Sequence, residues 1–93
     1  MGIKKLYKGS NHYAENDVTE TGQNFIACTS YTSRVAVIVD RIMFIPKVYN
    51  KYSRTTSRHL SKLASHFDVA ERIVFDERDK KQVKLVEQFF PEF

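Results

Sequence analysis

The run Val35-Ala-Val-Ile-Val39 constrains this chain more than any other stretch of it. In a strand, successive side chains point to opposite faces, so Val35, Val37 and Val39 line one side while Ala36 and Ile38 line the other. A strand apolar on both sides belongs inside a sheet that is covered on both sides. The flanking segments fit the same sheet. Asn24-Phe-Ile-Ala-Cys-Thr29 is rich in β-forming residues, and Ser30-Tyr-Thr-Ser33 is a turn, so 24–39 forms a hairpin. Asp40-Arg41 is a two-residue connection to a third antiparallel strand, Ile42-Met-Phe-Ile45, which Pro46 stops. That third strand serves as a dimer edge as readily as a core strand. Gly22 marks the start of the sheet, and Gly9-Ser-Asn11 ends an earlier short strand from Ile3 to Lys8.

Beyond Tyr52 the period changes from two to 3.6. Leu60, Leu63, Ala64 and Phe67 stand at i, i+3, i+4 and i+7, which predicts an amphipathic helix over 56–67 packed on the sheet. Its other face carries Arg58, Ser61, Lys62 and Ser65, and Asp68 ends it. Arg72-Ile-Val-Phe75 forms a fourth strand. Glu77 to Phe90 is a closing helix with Val83, Val86, Phe89 and Phe90 inward, acidic residues at its start and Pro91 at its end. The expected fold is a small single α+β domain over residues 1–93, a three- to four-stranded antiparallel sheet with two packed helices.

Charge is unevenly spread. The chain of 93 residues has a formal net charge of +4, yet residues 1–20 sum to zero, 21–67 to +6 and 68–93 to −2. A basic middle between neutral and acidic flanks favours an anionic partner. Much of that excess surrounds the expected helix start, in Lys51-Tyr-Ser-Arg-Thr-Thr-Ser-Arg58. Cations oppose the positive end of a helix dipole, and no acid completes a capping box there. An anion at that end resolves the conflict, held by free N–H groups, hydroxyls and cationic side chains. The candidate site is Lys51, Tyr52, Arg54, Thr55, Thr56, Arg58 and Lys62, with Arg34, Lys47 and Tyr49 as a second group. The plainer alternative makes Ser53, Thr55 or Thr56 an N-cap, with the arginines in water.

The layout from 24 to 67, with the string Tyr52-Ser-Arg-Thr-Thr-Ser-Arg-His59 as its distinctive part, resembles a family of small bacteriophage and prophage proteins. In that family the turn segment is usually Ser-Tyr-Asn-Thr, where this chain has Ser30-Tyr31-Thr32-Ser33. The resemblance implies a phage accessory protein acting in the cytoplasm of an infected bacterium, and it brings no catalytic residues. By analogy with small phage inhibitors of CRISPR effectors, the expected function is protein binding through a basic surface. The partner is then a host or defence protein such as an RNA-guided nuclease. A nucleic-acid-binding module using the Lys51 to Lys62 segment is the alternative, with phosphates on Arg54, Arg58 and Lys62 and a base stacked on Tyr49 or Tyr52.

Catalytic and metal chemistry find little support. The lone Cys28 excludes an internal disulfide framework and suits a reducing compartment. As a nucleophile it would need His12 or His59 as base, but a free cysteine alternating with Ile26 and Ser30 on a strand is expected in the core. His59 and His66 lie seven residues apart, too far for a helical metal chelate, and convergence of His12, Cys28, His59 and His66 has no supporting spacing. Asp76, Glu77 and Asp79 suit a helix start better than acid–base work. There is no phosphate loop, nucleophile elbow or dinucleotide fingerprint, so neither an enzyme nor a cofactor is expected. The first nine residues lack the apolar segment of a signal peptide, Leu6 breaks the myristoylation pattern, and no apolar run approaches membrane length.

Overall fold

The computed structural model describes residues 5–9, 11–50 and 54–90. Six strands form one sheet in sequence order: β1 (Lys5–Lys8), β2 (His12–Val18), β3 (Asn24–Ser30), β4 (Ser33–Val39), β5 (Ile42–Pro46) and β6 (Glu71–Phe75). Helix α1 (Arg54–His66) connects β5 to β6, and α2 (Lys80–Val86) follows β6. The first five strands are an antiparallel meander, whereas β6 runs parallel to β5. The sheet is therefore six-stranded and mixed, which overturns the expected antiparallel sheet of three or four strands. Two physical reasons account for the difference. Parallel neighbours need a crossover, and α1 is that crossover. Strand β2 has the polar sequence His-Tyr-Ala-Glu-Asn-Asp-Val, whose inward positions are filled by His12 and Ala14.

The hairpins follow local chemistry. Asp40 and Arg41 both have positive φ (50° and 66°), the geometry of a two-residue turn that matches strand twist. Pairing on both sides by β4 and β6 makes β5 an inner strand, so Ile42 to Ile45 is not an edge. At Cys28/Thr29 the β3–β4 register shifts, with Cys28 opposite Ala36 and Thr29 opposite Arg34. The extra residue turns Val35 into the same layer as Ala36 and sends Arg34 to the opposite face.

Apolar layers cover both faces, as the Val35 to Val39 run requires. On one, Ala14, Cys28, Val35, Ala36, Ile38, Met43 and Ile45 meet Leu60, Leu63 and Ala64 of α1. Full burial of a leucine such as Leu63 contributes about 1.5–3 kcal/mol. On the other, Phe25, Ala27, Val37, Val39 and Phe75 meet Val86, Phe89 and Phe90. Arg34 pins that second layer. It donates to the Phe89 carbonyl at 2.6 Å and to Asp17 at 3.3 Å, with its guanidinium 5.7 Å from the Phe25 ring centre.

Both helices differ from expectation at their ends. Helix α1 begins at Arg54, two residues early, which places Thr55 and Thr56 inside the first turn rather than at the cap. The expected closing helix over 77–90 is only Lys80–Val86. Its start is set by Asp79, whose carboxylate accepts from the Lys81 amide at 2.9 Å, after a turn in which Arg78 donates its amide to Asp76. Phe89 and Phe90 are buried, as expected, but from turns beyond the helix. Pro91 lies outside the described residues.

Candidate functional site

Helix α1 has two faces with different tasks. The sheet-facing side begins with a polar clasp. His12 at the start of β2 pairs in register with Ser30 at the end of β3, and His59 of α1 settles over both. The imidazole rings of His12 and His59 stack with centroids 4.0 Å apart and 17° between planes. The Ser30 hydroxyl and His59 Nδ1 share a 2.7 Å hydrogen bond, and the Tyr7 hydroxyl and His12 Nε2 share one of 3.1 Å. His66, one helical stretch further along, brings its ring 4.7 Å from that of Tyr7. His12, Ser30 and His59 are all buried. Burial lowers the His59 pKa from its ordinary value, reinforced by the neighbouring charges of His12 and then Lys62.

This clasp fixes the helix rather than exposing reactive groups. The stacked rings hold their nitrogens in parallel planes, and no group of three His, Cys, Asp or Glu among the described residues has metal-holding geometry. Cys28 is fully buried behind it. Burial pushes its thiol up to about 12, against a smaller opposing influence of Arg34, so it stays protonated at neutral pH and is a packing group.

The outer face of α1 is where the expected charge gathers. Arg54, Arg58 and Lys62 recur every four residues along it, all exposed, in a helix without a single acidic residue. The row spans about 12 Å at 1.5 Å per residue. Among the described residues the ion pairs are Arg34 with Asp17 and Arg41 with Asp68, so none of these three cations is neutralised by a carboxylate. Exposed Thr55 and Ser61 flank the row. Tyr31, 59% exposed at the tip of the β3–β4 hairpin, has its ring 6.1 Å from that of His59.

The structure places only part of the expected site together. Arg54, Thr55, Arg58 and Lys62 share the surface of α1. Thr56 turns inward and is 5% exposed. Lys51 and Tyr52 lie outside the described residues. The second group disperses. Arg34 belongs to the opposite face of the sheet, Lys47 sits beside Asp76, Glu77 and Arg78, and Tyr49 packs half-buried against the α1-side core. Sequence spacing gave no hint of the clasp, because positions 12, 30 and 59 meet only through strand register and the docking of α1.

Fold and surface together define a mixed α+β protein that carries an acid-free basic helix on a buried histidine clasp. By sequence the chain belongs to DUF8033, a family of unknown function, whose model matches residues 1–82. No curated protein and no solved structure matches it. Among the described residues no helix is long and apolar enough to cross a membrane.

Proposed function

We propose that this protein is a non-enzymatic binding module that docks on an anionic partner through the outer face of α1. One observation carries the reading: an acid-free helix presents Arg54, Arg58 and Lys62 in a single exposed row with no carboxylate partner among the described residues. Helix-surface cations are usually laced with acids three or four residues away, which stabilise the helix. Leaving three uncompensated gives up that support and repels like charges at i and i+4, a cost recovered when an anionic surface takes the missing place. The similarity of residues 24–67 to bacteriophage proteins supports a setting in the cytoplasm of an infected bacterium. An anionic component of the host or of its defence machinery, blocked by occupation of its surface, is the partner class that follows.

Retention on immobilised heparin, a polyanion with no shape in common with any one partner, tests the surface itself. Arg54→Glu/Arg58→Glu should elute at clearly lower salt than wild type. Lys80→Glu/Lys84→Glu removes the same net charge from exposed positions of α2 and should elute close to wild type. Equal shifts in both variants would show retention by net charge alone and sink the proposal.

A further inference from the structure

We infer that Tyr31 is a base-stacking platform beside the cationic row, and that the partner of this surface is single-stranded nucleic acid. The inference rests on the docking role of α1 and deepens it. Tyr31 occupies the left-handed region (φ 57°) at a hairpin tip, a backbone state that Gly and Asn adopt at far lower cost than an aromatic residue. Its amide donates to the Asn11 carbonyl at 2.6 Å, which ties the tip to the β1–β2 loop and holds that conformation. A strained residue whose side chain is mostly in water is not there for the core.

Position supplies the rest. The Tyr31 ring lies 6.1 Å from that of His59, tilted 46° to it. On a helix the neighbours of His59 on the same flank are Thr55, four residues before it, and Lys62, three residues after it, and both are exposed. The ring therefore lies alongside the cationic row, with the hydroxyl of exposed Thr32 next to it in sequence. An aromatic face flanked by backbone-neutralising cations is the arrangement that holds an unpaired strand, since bases stacked inside a duplex present no free face. Three phosphate contacts on a single strand give a slope of log K against log salt of about −2.

Fluorescence anisotropy with a labelled twelve-nucleotide oligo-dT and a duplex of equal length, at 50 and 200 mM NaCl, tests this, with thermal unfolding measured alongside. Wild type should prefer the single strand with that salt slope. Tyr31→Asn should weaken single-strand binding about tenfold while raising Tm, because the left-handed strain is relieved; Tyr31→Phe should bind like wild type. Opposite signs for binding and stability separate a contact from a structural role. The inference is overturned if Tyr31→Asn binds like wild type or lowers Tm, or if the duplex binds as well as the single strand. Absence of oligonucleotide binding at 50 mM salt, with heparin retention still dependent on Arg54 and Arg58, also overturns it. In that case the docking surface stands and an acidic protein is its partner.

Discussion

At Gly9 the chain has no room for a side chain. A β-carbon there would collide with the ring of His12, and Gly9 donates its amide to the His12 carbonyl at 2.8 Å, so neither partner can easily retreat. Gly9→Ala should therefore cost about 1–3 kcal/mol by urea unfolding, the range for overpacking a tight site. An unchanged midpoint would mean that the His12 ring swings clear at no cost. His59, on the other side of the same stack, links the clasp to pH. Its pKa is lowered in the folded state, so the unfolded chain binds the proton more readily, and folding stability must rise with pH through that region. Stability attached to His59 is complete above its ordinary value of 6.5 and drains away as pH falls from there to the lowered folded value. Urea unfolding from pH 7.5 to 5 should show this loss in wild type and a flatter profile in His59→Gln. Parallel profiles would remove His59 from the account.

Elements were legible in proportion to how plainly burial wrote itself into apolar spacing. Strand β4 and the stripe of α1 were readable because Val37, Ile38, Leu60 and Leu63 obey periods of two and 3.6. Strand β2 was not, because it lies near one side of the sheet, its covered positions are His12 and Ala14, and Glu15, Asn16 and Asp17 remain half-exposed. Strand β6 is recognisable from Ile73, Val74 and Phe75 but its direction is not: a five-residue strand reads alike in either orientation, and only the length of the α1 crossover decides. The basic surface was visible as an excess of charge, while its form needed the helix start at Arg54 and the inward turn of Thr56. The helix expected over 77–90 exceeds the observed α2 because Asp76, Glu77 and Asp79 look alike as first-turn acids. In the structure only Asp79 caps, and the Asp76 amide donates instead to the Gln82 side chain at 2.8 Å. Asp79→Ala should cost about 1 kcal/mol in chemical denaturation, and Asp76→Ala clearly less. The reverse order would place the true start of α2 at the earlier acid.

On the scale of the whole molecule, the sheet separates two apolar layers, and its two coverings come from different parts of the chain. The radius of gyration, 12.3 Å, is that of a compact chain of this length. Cys28 and Phe90 allow a direct test because they are fully buried in opposite layers. The Cys28 thiol is reachable only after α1 has lifted or the sheet has opened, so its labelling by a disulfide reagent reports opening of the α1 side. Phe90→Ala removes a ring packed 5.3 Å from Phe75 and should cost about 3–5 kcal/mol. If the two layers share one unfolding transition, that cost appears in full at the far side of the sheet. Where closing outpaces labelling, Cys28 in Phe90→Ala should then react on the order of a hundredfold or more faster than in wild type. A lowered urea midpoint with an unchanged Cys28 rate would mean that the C-terminal covering detaches alone. The α1 layer, and the cationic row it carries, would then be stable without it.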